Sequence, residues 1–476
     1  MKLETDQHDV DIAGLTADSR LIRPGYLFAA IPGTRLDGRD FIADAVAAGA
    51  AAVLAPRNVT PDALAPGVSL LRTDNPRRAL ARMASAFYGR QPETVAAVTG
   101  TNGKTSVADF TRQIWTKLGH RSASLGTLGL SGPGIAERGN LTTPDPVELH
   151  GKLAELADQG VDHLAVEASS HGLEQFRLDG IRIAAAAFTN LTRDHLDYHG
   201  SMEDYRAAKL RLFQELLPEG GAAVLNAESP EFIALQKIAE SHGLRVLSYG
   251  IAKGDLHCGH ATAQAEGWDL EIDAMGETFA LTFPLPGAFQ VDNALAALGL
   301  AIACGAVPKD AAPLLAELEG VNGRLETVAR LPSGARVLVD YAHTPDALEN
   351  VLKAVRPHTS GRLIVVFGCG GDGDAGKRPE MGAIAARLAD SAIVTDDNPR
   401  TEDPAAIRSE ILAACPGCTE VGDRRDAIGV AISKLRAGDV LVVAGKGHET
   451  GQIVGDQILP FEDAAVVREY IKGGDA

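Results

Sequence analysis

Residues 98–105 read Val-Thr-Gly-Thr-Asn-Gly-Lys-Thr, and this stretch joins an apolar run at 94–98 to an amphipathic stretch at 106–118. A strand, a glycine loop and a helix in that order form a phosphate site. Glycines let backbone N–H groups approach phosphate oxygens, and the helix N-terminus adds a favourable dipole. Lys104 is expected to reach the terminal phosphates of a nucleotide, and Thr105 to hold Mg²⁺. The strict pattern G-x-x-x-x-G-K-[ST] fails at its first position, Val98.

The length of the chain predicts several folding units around this loop. The chain has 476 residues, whereas single cores stop growing at roughly 250 to 300 residues. Short apolar runs separated by Ala-rich helical stretches precede the loop, and β/α alternation restarts after Arg324. Continuous rather than alternating apolar runs are typical of strands buried on both faces, so we expect parallel, doubly wound sheets.

We therefore predict an α/β protein of three domains. A small N-terminal α/β domain takes residues 1–90, a central P-loop-type parallel-sheet ATPase domain takes 91–322, and a C-terminal Rossmann-like domain takes 323–476. Ligands of such sheets bind beyond the carboxyl ends of the strands. The loops that follow the apolar runs are therefore the places to search for a site.

The charge of the chain narrows its partners and location. The formal net charge is −18, which disfavours a nucleic-acid partner or an anionic membrane surface, because either needs clustered Lys and Arg. The first residues show no positively charged region before an apolar run, and no segment approaches roughly 18 uninterrupted apolar residues. We expect a cytoplasmic monomer without membrane insertion.

Five cysteines are scattered along the chain without a framework spacing. Cys415 and Cys418 form a C-x-x-C pair, and one such pair without a second is a poor zinc site. A redox role would place the pair at the start of a helix after a strand. We interpret both cysteines as structural.

Polar residues gather after two further apolar runs. Glu167 follows the run at 163–166 and puts a carboxylate where Mg²⁺, which prefers oxygen ligands, can be held. The run at 184–188 leads into residues 189–199, which are dense in polar and titratable groups and include His195. Three such clusters at strand ends predict one site, with Glu167 as the first metal ligand outside the glycine loop.

Residues 100–105, 167–171 and 190–197 match, in order, the ATP and magnesium motifs of one family. On these motifs the chain resembles the Mur ligase family, which also includes folylpolyglutamate synthetases, and the resemblance runs over nearly the whole chain. It implies an ATP-dependent amide-bond ligase, with adenine at Asn293 and ribose at Asp340. The ATP contacts that it implies are Gly100, Thr101, Asn102, Gly103, Lys104, Thr105, Asn293, Arg324 and Asp340.

The role of Lys209 comes from the resemblance alone, because the residue otherwise looks like a lysine on a helix surface. The family carries this lysine as a carbamate formed with CO₂, which turns a cation into an anionic oxygen ligand that can face Mg²⁺. The implied catalytic residues are Lys104, Lys209, Glu167 and His195. The implied metal set is Thr105, Glu167, His195 and Lys209 as its carbamate.

Within the family, the chain is most similar to members that add the third residue of the peptidoglycan stem peptide to UDP-N-acetylmuramoyl-L-alanyl-D-glutamate. Their uridine-binding pattern resembles residues 17–20 and the loop 32–39, and their threonine motif resembles 142–145. Without the resemblance, Arg177 would be a surface cation. The residues implied to bind this UDP-linked dipeptide are Ser19, Thr142, Thr143, Ser169, Gln175 and Arg177.

Residues 397–400 read Asp-Asn-Pro-Arg, which resembles the signature of family members that add meso-diaminopimelate. Lysine-adding relatives lack the arginine. Diaminopimelate has a second carboxylate, which Arg400 can hold with two parallel hydrogen bonds. Glu449 is expected to take the distant ammonium. The implied diaminopimelate-binding residues are Arg378, Asp397, Asn398, Pro399, Arg400, Gly445 and Glu449.

Other functions stay open at this point. The same ligase could add L-lysine, and a folylpolyglutamate-type ligase would share the ATP motifs but would not be expected to carry residues 17–20 or 397–400. A nicotinamide-dependent dehydrogenase would use the loop 368–371, which lacks the G-x-G-x-x-G spacing. A non-catalytic nucleotide-binding module would have no reason to retain the whole catalytic set.

Overall fold

The computed structural model of the protein describes residues 1–3, 10–33, 36–60, 64, 67–139 and 141–474. Thr34 and Arg35, in the loop that resembles a uridine-binding pattern, lie outside the described residues. Within the described ranges, no helix is both long enough and apolar enough to cross a membrane. The predicted α/β class is confirmed, because helices pack on three sheets of four, eleven and six strands.

The N-terminal unit is built on a four-stranded parallel sheet. Its elements are β1 (Lys2–Leu3), β2 (Val10–Asp11), β3 (Gly14–Thr16), β4 (Tyr26–Ala29), α1 (Ile42–Ala47), β5 (Ala52–Pro56), β6 (Ser69–Thr73) and α2 (Pro76–Tyr88). The sheet order is β3-β4-β5-β6. Asn75 caps α2 by accepting a hydrogen bond from Arg78 N at 2.9 Å, and Gly89, with φ of 70°, ends the helix.

The central unit begins with the strand before the glycine loop. Its strands are β7 (Thr94–Thr99), β8 (Ser122–Gly126), β9 (Gly129–Gly132), β10 (Ile135–Glu137), β11 (His163–Glu167), β12 (Ala185–Phe188), β13 (Ala222–Asn226), β14 (Arg245–Gly250), β15 (Leu256–Ala263), β16 (Trp268–Ala274) and β17 (Glu277–Phe283). Its helices are α3 (Lys104–Lys117), α4 (Pro146–Asp158), α5 (Ser170–Glu174), α6 (Leu196–His199), α7 (Met202–Arg211), α8 (Phe232–Ser241), α9 (Ala288–Ala303) and α10 (Pro308–Ala311).

These strands form one sheet in the order β10-β9-β8-β11-β7-β12-β13-β14-β15-β16-β17. The strands from β8 across to β15 run parallel, whereas β9, β10, β16 and β17 pair antiparallel. The middle strands β7, β11 and β12 are almost entirely buried. One core cluster lies under α3 and α9, and a second lies under α4, α7 and α8 on the opposite face. The continuous apolar runs thus correspond to strands covered on both faces, as predicted.

The C-terminal unit is a second doubly wound sheet, with helices packed on both faces. Its elements are β18 (Glu326–Arg330), β19 (Arg336–Asp340), α11 (Pro345–Val355), β20 (Leu363–Phe367), α12 (Lys377–Leu388), β21 (Ser391–Val394), α13 (Pro404–Leu412), β22 (Thr419–Glu420), α14 (Arg424–Ser433), β23 (Val440–Ala444), β24 (Gly451–Val454), β25 (Gln457–Pro460) and α15 (Asp463–Gly474). The sheet order is β18-β19-β23-β20-β21-β22, with β18 antiparallel. Cys415 and Cys418 form a disulfide after α13.

Asp179 joins the N-terminal and central units. Its carboxylate pairs with Arg211 Nη2 at 2.6 Å and with Arg78 Nε, from α2, at 2.8 Å. The Arg211 guanidinium also lies 4.1 Å from the centroid of the Phe176 ring. The Asp179 side chain is 2% exposed, so its removal would leave two guanidinium groups without their buried counter-charge.

We expect Asp179→Ala to lower the free energy of unfolding by about 3–5 kcal/mol, because one partner of a buried ionic cluster is removed. Urea denaturation would measure the change. Asp74→Ala is the matched control: Asp74 pairs with Arg57 at 2.6 Å, with side chains 79% and 70% exposed, and its loss should cost less than about 1 kcal/mol. Equal losses in the two variants would contradict the assigned role of Asp179.

Candidate active site

The glycine loop lies at the carboxyl end of β7, between the ends of β11 and β12. Gly100 and Gly103 have φ of 146° and 88°, where glycine is favoured. A Cβ on Gly103 would lie 2.4 Å from Asn293 Oδ1, so the loop packs directly against α9. Thr189 Oγ1 donates to Asn102 O at 2.6 Å and ties the loop to the end of β12. The loop is therefore held on two sides.

Three basic side chains converge on this loop. Lys104 Nζ donates to two loop carbonyl oxygens at 3.0 and 2.8 Å. Lys209 Nζ donates to Gly100 O at 2.8 Å. Arg324 Nη2 lies 3.4 Å from Thr105 Oγ1, and its buried Nη1 has no hydrogen-bond partner among the described residues. Neutral oxygens are the partners in these contacts, so the arrangement suits a polyanionic ligand such as a triphosphate.

Burial affects the pKa of two of these basic groups, the lysines. It lowers the pKa of Lys104, and it lowers the pKa of Lys209 well below its ordinary value. The nearby charge of Lys104 lowers the pKa of Lys209 further, whereas Asp194 acts in the opposite direction. Lys209 is 1% exposed, and its Nζ lies 4.4 Å from the centroid of the Tyr205 ring. A neutral amine, which is a nucleophile, is therefore favoured at Lys209.

The predicted magnesium ligands flank the loop. Thr105 lies in the first turn of α3, and Glu167 ends β11 on the neighbouring strand. The Glu167 carboxylate accepts from Thr127 N at 2.8 Å and from Thr127 Oγ1 at 3.1 Å. His195 has a left-handed backbone with φ of 53°, and its Nε2 lies 3.4 Å from Asp194 Oδ2. Hydroxyl and carboxylate oxygens beside a phosphate loop fit the preference of Mg²⁺ for hard ligands.

A hydrogen-bonded network joins most of the residues predicted to bind the UDP-linked dipeptide. Thr143 Oγ1 donates to Glu167 O at 2.8 Å and lies 3.0 Å from Ser169 Oγ. Arg177 donates from Nη1 to Thr143 O at 2.6 Å and from Nη2 to Gln175 Oε1 at 2.8 Å. The network places these side chains at the carboxyl end of β11, next to the predicted metal ligand.

Thr142 and Ser19 complete the predicted set, but only Thr142 lies in the network. The hydroxyl of Thr142 is 3.0 Å from that of Thr127, which also holds the Glu167 carboxylate. Ser19 lies in the N-terminal unit, at the start of a short 3₁₀ turn capped by Asp18. Among the described residues, no hydrogen bond joins Ser19 to the network.

Asn293 and Arg324 contact the loop region where the central and C-terminal units meet, and Asp340 lies beside the backbone that follows Arg324. Asn293 lies against the loop, as shown above. The carboxylate of Asp340 is buried and accepts from Leu325 N at 2.7 Å and from Ala342 N at 2.8 Å. Burial raises the pKa of this carboxyl. Asp340 thus fixes the backbone next to Arg324, in addition to any contact with ribose.

Most of the residues predicted to bind diaminopimelate, the amino-acid acceptor, meet at the carboxyl ends of β21 and β23. Asn398 Nδ2 donates to Glu449 Oε2 at 3.0 Å. A Cβ on Gly445, where φ is 121°, would lie 2.5 Å from Asp397 Oδ2, so glycine is required for the close approach. The residues that the structure brings together here are Asp397, Asn398, Pro399, Arg400, Gly445 and Glu449.

Two arginines were predicted for the same region, and their surroundings differ. Arg400 has an exposed side chain and a left-handed backbone with φ of 53°, and its Nη1 donates to Gly371 O at 2.7 Å. Arg378 is buried and pairs with Glu402 at 2.8 Å and with Glu410 at 3.1 Å. Arg400 therefore has donors left for a ligand, whereas Arg378 is largely occupied by two carboxylates.

Sequence reasoning missed Lys446, which lies inside the acceptor region. Its Nζ is fully buried and donates to Asn398 Oδ1 at 2.9 Å and to Glu449 Oε2 at 2.8 Å. The lysine thereby fixes which end of the Asn398 amide faces Glu449. The available signal was a lysine between Gly445 and Gly447 directly after the apolar run of β23.

Asp346 was also not predicted as a site residue. It lies in the first turn of α11, and its Oδ2 accepts from Asn102 Nδ2 at 3.3 Å and from Thr192 Oγ1 at 3.2 Å. The contact brings the C-terminal unit to the glycine loop. No local motif signals it, because Asp346 and Asn102 are 244 positions apart in the chain.

Three family models match consecutive parts of the chain. The one described as Mur ligase family, catalytic domain, matches residues 11–88. The Mur ligase middle domain matches residues 98–301, and the Mur ligase glutamate ligase domain matches residues 323–447. Each of the three large sheets falls mainly within one matched range.

Relatives extend the likeness to the full length. The chain is 55% identical over 474 residues to the UDP-N-acetylmuramoyl-L-alanyl-D-glutamate–2,6-diaminopimelate ligase of Caulobacter vibrioides, covering 98% of this chain and 97% of that one. A solved structure of a ligase with the same name is 33% identical, with a TM-score of 0.74, and covers 100% of this chain and 98% of its own. The folylpolyglutamate synthase of Mycobacterium tuberculosis, solved with ADP and AMPPCP, is 20% identical, with a TM-score of 0.64, and covers 78% of this chain and 92% of its own.

Gly126 offers a test of Glu167 as a metal ligand. An added Cβ would lie 2.0 Å from Glu167 Oε1, so we expect Gly126→Ala to displace the carboxylate. The Mg²⁺-dependent part of the affinity for a non-hydrolysable ATP analogue should fall at least about tenfold. Calorimetric titrations with Mg²⁺ and with EDTA would separate that part from the rest. Gly417→Ala, where a Cβ would meet nothing within 4 Å, is the control, and equal affinities in the two variants would refute the assignment.

Proposed function

The chain belongs to the Mur ligase family, and from that premise we propose that it adds meso-diaminopimelate to the D-glutamyl carboxylate of UDP-N-acetylmuramoyl-L-alanyl-D-glutamate. It is an ATP-dependent ligase of peptidoglycan synthesis that forms an amide bond. The observation that carries the proposal is the position of Glu167. Its backbone carbonyl accepts from Thr143 in the dipeptide network, while its carboxylate lies beside the glycine loop. This position would bring the phosphate donor and the carboxylate to be activated together at one strand end.

The reaction has two steps. A carboxylate oxygen of the D-glutamyl residue attacks the γ-phosphorus of ATP, and ADP leaves as the acyl phosphate forms. The free amine of diaminopimelate then attacks the acyl carbon; phosphate leaves, the amide forms and the amine proton passes to solvent. Lys104 and Arg324 neutralise charge on the phosphate oxygens, so positioning and electrostatics account for catalysis without a covalent enzyme intermediate.

The metal sites follow from the donor atoms that the chain presents. Thr105 and Glu167 would hold Mg²⁺ through oxygen, and His195 would orient or hold it beside Asp194. Bound Mg²⁺ supplies positive charge that polarises the phosphoryl group. ATP and Mg²⁺ are thus the co-substrate and cofactor that the loop and its flanking carboxylates support.

Lys209 would join the metal set as a carbamate. Its neutral amine attacks CO₂, the nitrogen loses a proton, and an anionic N–COO⁻ group remains. Burial favours the neutral amine by lowering the pKa of Lys209 well below its ordinary value. Its Nζ is 2.8 Å from Gly100 O, so a carbamate would carry its oxygens into the same loop. The resemblance to the family and this burial together support the modification.

The acceptor would bind in the C-terminal unit. Among the described residues, the Arg400 guanidinium donates only from Nη1, to Gly371 O, so its other donors can pair with the distant carboxylate of diaminopimelate. Glu449, held by Lys446 and Asn398, would take the distant ammonium. L-lysine lacks the carboxylate that this arginine would pair with, so it would be the poorer acceptor.

The proposed domain boundaries assign one substrate to each unit. Residues 1–90 would bind the UDP part, 91–322 ATP and 323–476 the amino acid, and each range contains one of the three large sheets. We also propose that the protein acts as a monomer in the cytoplasm. A folylpolyglutamate-type activity is disfavoured, because the matched synthase covers 78% of this chain whereas the diaminopimelate ligases cover nearly all of it.

The activity is tested by phosphate release from ATP with Mg²⁺ and the UDP-linked dipeptide, comparing meso-diaminopimelate, L-lysine and no acceptor. We expect release with diaminopimelate, and Arg400→Ala should lower kcat/KM for it by about 100-fold through loss of a bidentate charge-assisted pair. Lys104→Ala should abolish turnover with any acceptor.

Arg387→Ala is the matched control for Arg400, because Arg387 is an exposed arginine of the same unit that pairs with Glu349 at 3.2 Å. It should leave kcat/KM unchanged. Release with L-lysine alone would remove the assigned acceptor and keep the ligase, whereas no release with either amino acid would remove the proposed reaction. An Arg400→Ala variant that keeps its preference for diaminopimelate would disprove the arginine clamp.

The carbamate predicts a dependence on CO₂. Turnover in buffer stripped of CO₂ should fall and should recover when bicarbonate is added, because carbamate formation from the neutral Lys209 amine is reversible. A ¹³C signal from labelled bicarbonate should appear on the wild-type protein and be missing from Lys209→Arg, whose guanidinium stays protonated. Lys237→Arg, a substitution of an exposed lysine, is the control. The same ¹³C signal in Lys209→Arg would exclude this site.

A further inference from the structure

His120, Asp162 and His163 form a compact cluster outside the site described above. Their possible ligand atoms all lie within 4.8 Å of one another. His163 Nδ1 is 2.9 Å from Asp162 Oδ1, and His120 Nδ1 is 3.9 Å from Asp162 Oδ2. The two imidazole rings have centroids 3.9 Å apart, and the Trp115 ring lies 4.9 Å from that of His163. Two nitrogen ligands and one carboxylate are thus gathered from two separate segments of chain.

The backbone holds these two segments together. Arg121 O, next to His120, accepts from Asp162 N at 3.0 Å and from His163 N at 3.4 Å. His120 N donates to Trp115 O at 3.0 Å at the end of α3. The Cα positions of all three candidate ligands are therefore fixed by main-chain hydrogen bonds, whatever their side chains do. Only side-chain rotation is needed to close the cluster around an ion.

The cluster lies at the amino ends of the central strands, whereas the glycine loop lies at their carboxyl ends. His163 begins β11 and Glu167 ends it, so the two residues are separated by about 13 Å along the strand at roughly 3.3 Å per residue. A ligand of His163 would therefore be independent of the nucleotide site. The carboxylates of Glu93 and Asp162 both act electrostatically on His163 in the sense that favours a nearby cation.

We propose that His120, Asp162 and His163 bind one transition-metal ion of the zinc type. Two imidazoles and a carboxylate, with water completing the shell, suit Zn²⁺, Co²⁺ or Ni²⁺, whereas Mg²⁺ prefers oxygen alone. A tetrahedral zinc site places its ligand atoms roughly 3.4 Å apart, given bonds of about 2.0–2.1 Å. The present separations of up to 4.8 Å close by small rotations, because the side chains of His120 and Asp162 are 41% and 38% exposed.

The bound ion would act as a cross-link. It would tie the turn that ends α3 to the start of β11, and α3 carries the glycine-loop residues Lys104 and Thr105 at its other end. Binding to the folded state alone raises its stability. The site is therefore structural: it holds the nucleotide-binding helix on its sheet and takes no part in the chemistry.

The test uses the full chain, freed of metal and then saturated with Mg²⁺. Calorimetric titration with Zn²⁺ and visible spectra with Co²⁺ should show one site that Mg²⁺ does not displace, and Zn²⁺ should raise Tm. His120→Ala should weaken this binding by more than about tenfold and abolish the rise in Tm. Because the His120 side chain is 41% exposed, its truncation should leave the fold intact. Asp162→Asn gives a second, isosteric variant.

His242→Ala is the control, because His242 is another exposed histidine, bonded to Ser241 Oγ at 3.0 Å. It should bind Zn²⁺ as the wild type does. Binding of Zn²⁺ to the other histidines near the glycine loop would survive in His120→Ala with an unchanged stoichiometry. That result, or no Zn²⁺ binding to the wild type in the presence of Mg²⁺, would overturn the proposal.

Discussion

Parallel pairing of β7 with β11 and β12 brings the glycine loop, Glu167 and the segment leading to His195 to one end of the central sheet. The register sets Glu167 opposite Val98 and Phe188 opposite Thr99, so the three loops that follow these strands leave the sheet at one edge. Side chains alternate between the two faces of a strand, and a shift of one residue would exchange the two cores and move Glu167 away from the glycine loop. The register is thus protected by the same apolar packing that stabilises the domain.

Two lysine side chains beside the glycine loop share one hydrogen-bond acceptor. Gly100 O accepts from both Lys104 and Lys209, and two ammonium groups on one carbonyl would repel each other at short range. Burial lowers the pKa of both lysines, and it lowers that of Lys209 well below its ordinary value, which reduces this repulsion. The two ammonium nitrogens thus share one carbonyl oxygen and yet differ in how strongly their surroundings disfavour the charge.

The sequence was sufficient to predict the strands that are buried on both faces, because each is a continuous apolar run. The apolar runs at 94–98, 163–166 and 184–188 correspond to the strands Thr94–Thr99, His163–Glu167 and Ala185–Phe188, within one residue at each end. The strands β15, β16 and β17, which pair antiparallel with one another, contain no such run. In them, buried or partly buried residues are interspersed with exposed ones. Lys446 and Asp346 act through partners far away in the chain, and the burial of Lys209 depends on tertiary packing that no motif reports. The candidate site was therefore predictable where a motif follows a strand, and not where two units meet.

The hydrogen bonds that Asp346 accepts from Asn102 and Thr192 couple two parts of the structure thermodynamically. They make the docking of the C-terminal unit and the conformation of the glycine loop parts of one equilibrium. Any factor by which a nucleotide on the loop favours docking is, by linkage, the factor by which docking favours the nucleotide. A ligand held only by the C-terminal unit can thus alter affinity at the loop without touching it. Coupling between the substrates is then a property of this contact and needs no separate regulatory element.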